Sequence, residues 1–391
     1  MKNILFVLNK FPNIGGIETV TTQLANRLSE KYNISILSTE ASLDRQPGLK
    51  NDIAITVIPE NTFALEKNDL FNQYLSEKKV DVIINQGCNE NITQLLFDKK
   101  LPDNIKIISV LHGQPMNETV LAKQFKREQI IRKKSGISKY LKLWLNHYGQ
   151  NAMCKTARKK ALSNQKKLYQ ISNYIIVLQD FYINEYALKY HIPDIQKKLR
   201  AIPNPSIYGQ SPNLSEKKKE VLYVGRLSNS DKRIDRLLKI WKLVEPQCSD
   251  WSLKILGDGE DRNKLETLAQ SLKLKNIAFL GYQNPEPFYK SARIVCLTSQ
   301  TEGLPMSLIE AQTFGTVPIA FECSSGISYI LEKGNSGICV PPYKMNIFAN
   351  KLATLIKNQE LLETLSQRAK ISSGRFNEDV IVSQWIQLIE S

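Results

Sequence analysis

Two glutamates flank a predicted helix start in the stretch TEGLPMSLIEAQTFGT (301–316). Glu302 precedes a Gly-Leu-Pro turn, and Glu310 lies more than one turn inside the helix predicted to follow Pro305. The amides that open a helix bind anions, and nearby carboxylates accept hydrogen bonds from hydroxyl groups. Either glutamate alone is explained by helix-dipole complementarity or by a solvent-facing position. Together they fit the phosphate and hydroxyl groups of a nucleotide sugar.

A second charged group follows the apolar run VLYVG (221–225). Arg226 comes directly after this run, and Lys232 and Arg233 stand at the predicted start of the next helix. Cations beside the free amides of a helix start suit a diphosphate. Solvated basic residues on the surface are an equally good explanation of this loop taken by itself.

Small residues and one histidine follow other apolar runs. Gly15 and Gly16 come after residues 4–8, Gly257 follows residues 253–256, and His112 directly follows residues 105–111. Glycines let a backbone approach a ligand closely, although a tight turn explains a glycine pair as well. A lone histidine is more often structural, but ligands of doubly wound sheets bind at the carboxyl ends of strands. Because several such loops converge, we interpret His112 as a site residue.

The elements that must position these residues are alternating strands and helices. Continuous apolar runs predict strands that are covered on both faces, and the amphipathic segments between them predict helices, so the fold class is α/β with doubly wound parallel sheets. The strand series restarts after a Pro-rich segment (202–220), which places a domain boundary near residue 208. The predicted strands are residues 4–8, 34–37, 53–58, 80–84, 105–111, 174–178, 199–202, 221–225, 253–256, 277–280, 293–297, 317–321 and 337–340.

The composition predicts a globular, cytoplasmic protein of two domains. The 391 residues are 42% hydrophobic and 23% charged, which excludes a disordered chain. Six scattered cysteines, without a C-x-x-C pair, indicate reduced thiols and neither disulfides nor zinc. The N-terminus lacks the features of a signal peptide, and no stretch approaches 18 apolar residues.

The segment 123–167 carries most of the charge excess. It holds fourteen Lys and Arg against the single acid Glu128, a net charge of +13 out of +15 for the chain. Apolar and aromatic residues are interleaved around ISKYLKLWLNHY (137–148), a composition typical of helices at anionic membrane surfaces. A solvated helical insertion is the plainer alternative. Nucleic-acid binding is disfavoured because the segment carries no recognised binding motif.

Taken together, these features resemble GT-B glycosyltransferases, specifically the large retaining family 4, over essentially the full chain. The resemblance is strongest from 220 to 342 and includes the family's E-x7-E motif. The motifs that carry it are GGIE (15–18), LHG (111–113), IPNP (202–205), VGRLSNSDKRID (224–235), LKILGDGE (253–260), FLGY (279–282) and EGLPMSLIEA (302–311).

The resemblance implies two Rossmann-like domains that face an inter-domain cleft. Residues 1–207 would form the acceptor domain with the basic insertion 123–167, residues 208–375 the nucleotide-sugar domain, and residues 376–391 a helix returning to the first domain. One segment departs from the family pattern: the residues Gly326-Ile327-Ser328-Tyr329 stand where many members have Gly-x-Pro-Glu.

The resemblance also implies a role for each site residue. Glu310 would bind the ribose, Glu302 the transferred sugar, and Arg226 and Lys232 the diphosphate. The family's basic pair is often spaced more closely, which leaves open whether Lys232 or Arg233 is the phosphate ligand. The other implied roles are backbone contacts to the donor from Gly303, Leu304 and Met306, a further donor contact at Gly257, the base-binding loop at Tyr282, phosphate or acceptor contacts at Gly15 and Gly16, and contact with the donor sugar at His112.

The function implied is retaining transfer of a hexose-type sugar from a nucleotide sugar, with UDP as the usual carrier of the family. The acceptor would be a saccharide or lipid-linked saccharide of a bacterial surface polysaccharide, at the inner face of the membrane. No metal is expected, and no Asp-x-Asp motif occurs. The alternatives are a non-hydrolysing sugar-nucleotide epimerase and a basic non-enzymatic protein that binds nucleic acid or membrane.

Overall fold

The computed structural model describes residues 1–44, 46–58, 69–88, 92–98, 101–115, 158–209 and 217–391. These residues form two compact units. The first contains the described parts of Met1–Thr119 and Gln150–Pro205 together with Glu378–Ser391, and the second contains the described parts of Ser206–Asn377.

A parallel sheet forms the centre of the first unit. Within the described residues it has seven strands in the order β3-β2-β1-β4-β5-β6-β7, so the winding direction reverses between β1 and β4. Ligands of such sheets bind at this reversal, beyond the carboxyl ends of the strands. The strands are β1 (Asn3–Lys10), β2 (Asn33–Glu40), β3 (Ala54–Val57), β4 (Val82–Asn85), β5 (Lys106–Leu111), β6 (Tyr174–Val177) and β7 (Leu199–Ala201).

Helices between the strands cover the sheet of the first unit. Leu5 and Val7 of β1 pack with Phe71 and Leu75, which project from one of these helices, because apolar residues on both layers leave water together. The helices are α1 (Gly16–Leu28), α2 (Asp69–Glu77), α3 (Ile92–Asp98), α4 (158–171), α5 (Asp180–Tyr190) and α6 (Ile195–Lys198).

The second unit repeats this plan. Its described strands are ordered β10-β9-β8-β11-β12-β13, all parallel, and the winding reverses between β8 and β11. Trp241, which is fully buried, packs in the same core as Tyr223 and Ile255. The strands are β8 (Lys218–Val224), β9 (Ser252–Leu256), β10 (Ile277–Gly281), β11 (Ala292–Leu297), β12 (Val317–Phe321) and β13 (Ile338–Val340).

The helices of the second unit follow its strands in the same alternation. They are α7 (Ile234–Val244), α8 (Arg262–Ser271), α9 (Glu286–Ser291), α10 (Met306–Thr313), α11 (Ser325–Ile330), α12 (Met345–Lys357) and α13 (Gln359–Ser373). The chain enters and leaves this unit at neighbouring points, because the Ser206 amide donates to the Phe376 carbonyl at 2.8 Å.

The last helix, α14 (Glu378–Glu390), packs on the first unit. Its buried face includes Ile381 and Trp385, and its C-terminal carbonyls accept hydrogen bonds from lysine ammonium groups. Lys2 donates to the Ile389 carbonyl at 3.0 Å, and Lys106 donates to the same carbonyl at 3.1 Å. Cations at a helix C-terminus satisfy its free carbonyls and its dipole. The helix is therefore anchored by the burial of its apolar face and by the hydrogen bonds at its C-terminal end.

The α/β architecture with two doubly wound parallel units confirms the predicted fold class. Every predicted strand coincides with an observed one. Most of these apolar runs are buried, whereas the edge strands β3 and β10 are partly exposed. Of the basic segment 123–167, residues 123–157, including the predicted helix around 137–148, lie outside the described residues. The remainder belongs to α4, where Lys159 and Lys166 are exposed and Leu168 is buried. Within the described parts of the chain, no helix combines the length and apolar character needed to cross a membrane.

We expect Trp385→Ala to lower the free energy of unfolding by roughly 3–5 kcal/mol, since it leaves a cavity beneath α14. Urea unfolding followed by far-UV circular dichroism measures this. The control is Gln384→Ala on the exposed face of the same helix. Equal unfolding midpoints for the two variants would contradict the docking of α14.

Candidate functional site

Three glycines bring strand ends of the second unit into close contact. Gly225 follows β8 with φ +154°, and Gly257 follows β9 with φ +128°. A Cβ atom on Gly257 would lie 2.0 Å from the Gly225 carbonyl oxygen, and the Gly257 amide donates to the Gly281 carbonyl at 2.8 Å. Only glycine fits this approach. Gly257 therefore shapes the edge from which the predicted ligand-binding loops project.

The basic loop after β8 is attached to the loop after β9. The Leu227 amide donates to the Asp258 carbonyl at 2.8 Å, and the Asn229 amide donates to the Asp261 carboxylate at 2.9 Å. Asp261 is buried, and its carboxylate also accepts from Lys264 at 2.6 Å. Asp261 thus holds the backbone from which Arg226 and Lys232 project, a role that the sequence did not indicate.

Arg226 is the more exposed of the two cations. Its side chain is 67% exposed, and its guanidinium contacts the Asp231 carboxylate at 2.9 Å. Burial acts to raise the pKa of Asp231, but a hydrogen bond from Ser228 and the charges of Arg226 and Lys232 hold it below its usual range. Asp231 therefore stays ionised and orients the guanidinium, which keeps donors available to a ligand.

Lys232 contacts Glu302 directly. The ammonium lies 2.7 Å from the Glu302 carboxylate, which also accepts from the Ser299 hydroxyl at 2.6 Å. Burial acts to lower the pKa of Lys232, yet the carboxylates of Glu302 and Asp231 together raise it above its ordinary value. The structure therefore places a charged ammonium beside one of the two glutamates of the E-x7-E motif.

Arg233 is oriented differently. It precedes α7 with φ +54°, and its guanidinium donates to both carboxylate oxygens of Asp235, at 2.8 and 3.0 Å. Its carbonyl accepts from the Thr298 hydroxyl at 3.0 Å. Among these contacts, Lys232 meets Glu302, whereas Arg233 meets Asp235.

The segment that opens α10 carries three predicted donor contacts, Gly303, Leu304 and Met306. The helix begins at Met306, and Pro305 before it has no polar side chain with which to cap the first amides. Leu304 is buried, whereas Gly303 and Met306 are partly exposed. The start of α10 directly follows Glu302, so its amides and the Lys232–Glu302 pair lie in one stretch of backbone.

Glu310 is buried inside the second unit. It is 7% exposed, and the Tyr289 hydroxyl donates to its carboxylate at 2.9 Å. Burial raises the pKa of Glu310 to about 7, although the hydrogen bond from Tyr289 acts in the opposite direction. Tyr289 is itself held by stacking on Phe314, with ring centroids 6.2 Å apart. The carboxylate has four lone-pair directions, so this bond leaves acceptor capacity for hydroxyl groups.

The remaining predicted residues occupy the two units as follows. Tyr282 directly follows β10 and is 62% exposed. In the first unit, Gly15 and Gly16 open α1 after β1, with Asn13 donating to Glu18 at 2.8 Å beside them. His112 directly follows β5, and its Nε2 lies 2.6 Å from the Gln86 side-chain oxygen at the end of β4. Since β1, β4 and β5 are neighbours, these residues share one edge of the sheet.

Two residues at these sites escaped the sequence analysis. Tyr289 resembles an ordinary core aromatic, and only the packing of α9 against α10 gives it a polar role. Gln86 lies two positions beyond the predicted run 80–84 but directly after the observed β4, so the search for polar residues at strand ends could have found it. Among the described residues, no cluster of three or more His, Cys, Asp or Glu side chains has the arrangement of a metal site.

Residues 207–372 match the family model described as glycosyl transferases group 1. An uncharacterized glycosyltransferase of Haemophilus influenzae is 35% identical over 188 residues, which are 47% of this chain and 53% of that protein. The chain therefore spans about half the length of that relative. A Campylobacter jejuni protein is 23% identical over 393 residues, covering 100% of this chain and 98% of that protein. Its name is GalNAc-alpha-(1->4)-GalNAc-alpha-(1->3)-diNAcBac-PP-undecaprenol alpha-1,4-N-acetyl-D-galactosaminyltransferase.

Among solved structures, the chain is similar to the pneumococcal O-GlcNAc transferase GtfA, determined in complex with UDP and GlcNAc. The TM-score is 0.75 at 14% identity, and the match covers 100% of this chain and 98% of the other. Likeness at this identity shows a shared fold, which is the GT-B fold.

We expect the stability difference between Glu310→Gln and the wild-type protein to depend on pH. The unfolded carboxyl loses its proton near 4.5, whereas burial holds the proton in the folded protein up to about pH 7. The stabilisation that the protonated Glu310 carboxyl gives the wild-type protein is therefore complete below pH 4.5. It is lost as the pH rises through 7, and the free energy of unfolding falls by roughly 3 kcal/mol in all. Glutamine cannot titrate, so the free energy of unfolding of Glu310→Gln rises relative to that of the wild type between pH 4.5 and 7.

Urea unfolding at pH 4.5, 6 and 8 measures this difference. Glu363→Gln, at an exposed position of α13, serves as the control and should follow the wild type at each pH. Parallel stability curves for Glu310→Gln and the wild type would show that the carboxyl is not held neutral by burial.

Proposed function

We propose, on the basis of the match of residues 207–372 to the group 1 glycosyl transferases and of the GT-B fold, that this chain transfers a hexose-type sugar from a nucleotide sugar with retention of anomeric configuration. The donor is a UDP-sugar bound by the second unit. The acceptor is a saccharide or lipid-linked saccharide of a bacterial surface polysaccharide, bound by the first unit.

The Lys232–Glu302 contact is the observation that carries this proposal. An ammonium group, a carboxylate and a helix start stand within one short region at the carboxyl end of β8 and β11. The ammonium and the amides suit the phosphates, and the carboxylate suits hydroxyl groups of the sugar. When the donor binds, its phosphate contacts the ammonium group of Lys232, and its sugar contacts the carboxylate of Glu302.

In the proposed reaction, the bond between the anomeric carbon and the phosphate oxygen breaks, and a bond from the acceptor oxygen to the same face forms. The departing phosphate accepts the acceptor's proton. Arg226 and Lys232 stabilise the charge that develops on that phosphate, so no nucleophile from the protein is needed. For the same reason we propose no metal for the reaction, because Arg226 and Lys232 supply positive charge for the diphosphate.

Other residues bind the nucleoside and the sugar in this scheme. Glu310 accepts hydrogen bonds from the ribose, and Tyr282 lies in the loop that contacts the base. Gly303, Leu304 and Met306 offer their amides to the donor, and Gly257 lets the backbone approach it. In the first unit, Gly15 and Gly16 approach phosphate or acceptor, and His112 contacts the transferred sugar. UDP is supported by the UDP bound in the similar GtfA structure.

A lipid-linked acceptor is supported by two observations. The name of the Campylobacter relative contains a saccharide carried on PP-undecaprenol. The basic segment 123–167, with its net charge of +13, supplies attraction to the anionic inner face of a membrane at about 1 kcal/mol per basic residue near the surface. We therefore propose a cytoplasmic protein that associates peripherally with that face.

We expect Arg226→Ala to lower turnover about 10²–10³-fold, the usual effect of removing one charge-stabilising donor. The variant should remain folded, because Arg226 is largely exposed. Release of labelled sugar from a panel of nucleotide sugars, with and without saccharide acceptors, measures turnover, and thermal unfolding checks the fold. Arg368→Ala, at an exposed position of α13, is the control.

The same assay separates the rival functions. Near-normal turnover of folded Arg226→Ala would refute the role of that residue. Epimerised donor without acceptor dependence would indicate the epimerase, and retention on DNA without any donor turnover would indicate the basic binding protein.

We expect neutralisation of the seven basic residues between 126 and 142 to abolish binding to vesicles that contain anionic lipid, since each removed charge weakens the attraction. Sedimentation with phosphatidylglycerol vesicles measures binding. The control exchanges an equal number of exposed lysines of the second unit for glutamine: Lys218, Lys219, Lys239, Lys242, Lys273, Lys275 and Lys290. Unchanged binding by the first variant would rule out the membrane role of this segment.

A further inference from the structure

Gln86 and His112 lie side by side at the carboxyl edge of the first sheet. Gln86 directly follows β4, His112 directly follows β5, and the two strands pair in parallel with Asn85 opposite Ser109. The Gln86 side-chain oxygen is 2.6 Å from Nε2 of the imidazole. An amide oxygen only accepts hydrogen bonds, so Nε2 must be the nitrogen that carries the proton.

The second ring nitrogen is then an acceptor. A neutral imidazole has one donor and one acceptor nitrogen, so a proton on Nε2 leaves the lone pair on Nδ1. Within the described residues, Nδ1 of His112 has no hydrogen-bond partner. Burial lowers the pKa of His112 to about 4, and no charged side chain of the described residues contributes to that shift. The ring therefore remains neutral at physiological pH.

Gln86 carries an unsatisfied group. Gln86 is 1% exposed, and its side-chain nitrogen is buried without a hydrogen-bond partner among the described residues. Leaving a buried donor unsatisfied is unfavourable, so an apolar residue of similar size would suit this position better for folding alone. Among the described residues, the side chain makes one hydrogen bond, to His112, and this bond is what glutamine provides here that an apolar residue would not.

We propose that Gln86 is a positioning residue that holds His112 in the Nε2–H tautomer, so that Nδ1 accepts a hydrogen bond from a substrate hydroxyl. Sugars present hydroxyl groups, which donate to such a lone pair. A cationic or Nδ1–H imidazole would instead present a donor, which can bond only to the oxygen of a hydroxyl and cannot accept its proton. The tautomer assignment stands on the geometry of the pair, whereas its use in transfer rests on the proposed function.

Nuclear magnetic resonance of the full chain, with ¹⁵N in its imidazole rings, tests the tautomer directly. The chain has only three histidines, His112, His147 and His191, and His112→Asn identifies the signals of the first. We expect the neutral Nε2–H form in the wild type. Gln86→Leu should shift the ring toward Nδ1–H, and Gln86→Glu should raise its pKa by about 1–3 units, the effect of a neighbouring carboxylate.

An Nδ1–H ring in the wild type would overturn the proposal, and so would a tautomer and a pKa that are unchanged in both Gln86 variants. Gln73→Leu, at an exposed position of α2 in the same unit, is the matched control and should leave the His112 signals in place. These spectra need no donor, so they remain decisive if the chain proves not to be a transferase.

Turnover then tests the role in the reaction. We expect Gln86→Leu to lower sugar release about tenfold, the scale of one lost hydrogen bond, while its thermal stability equals or exceeds that of the wild type. Gln86→Glu should add an acid limb to the pH profile that follows the raised pKa of His112, a change that a merely structural role would not cause. Full activity of Gln86→Leu with an altered tautomer would overturn the role. Absence of turnover in the wild type would instead contradict the proposed function.

Discussion

The parallel pairing of β8 with β11 is the constraint on which the candidate site of the second unit depends. These strands are neighbours at the reversal of the sheet, with Val221 opposite Ile294, although two other strands separate them in sequence. Their carboxyl ends therefore lie together, and Lys232 meets Glu302 at 2.7 Å across 70 positions of chain. The strand order of a doubly wound sheet thus creates a charged pair that no local segment could form.

Both units bury polar groups in ways that stability alone does not favour. Glu310 is enclosed far enough for its pKa to rise to about 7, and Gln86 leaves an amide nitrogen without a partner in the described residues. Each of these groups makes one short hydrogen bond to a neighbour, Tyr289 in one case and His112 in the other. Burial of a polar group with incomplete compensation is a cost that the fold offsets elsewhere. Glu310 is itself a site candidate from the sequence, and Gln86 contacts another candidate, His112.

Much of the fold could be predicted from the sequence, because a strand covered on both faces is a continuous apolar run. The run VLYVG predicted β8, and ILFVL predicted β1, without any knowledge of their partners. The candidate site could be predicted in part by the same rule, since polar residues that directly follow such runs stand at the ligand-binding edge. Tyr289 could not be found in this way, because an aromatic residue in a short amphipathic helix has the same pattern whether or not its hydroxyl meets a carboxylate.

The sequence by itself determined the α/β class, the two strand series and the strand ends that carry charge, since these follow from the local order of apolar, polar and glycine residues. Only the tertiary structure decided which charges are partners. It placed Lys232 against Glu302 and Arg233 against Asp235, and it placed Gln86 against His112. The physical reason is that such pairings depend on strand order and on side-chain direction. Both are set by packing between segments distant in the chain and leave no periodic trace in the sequence.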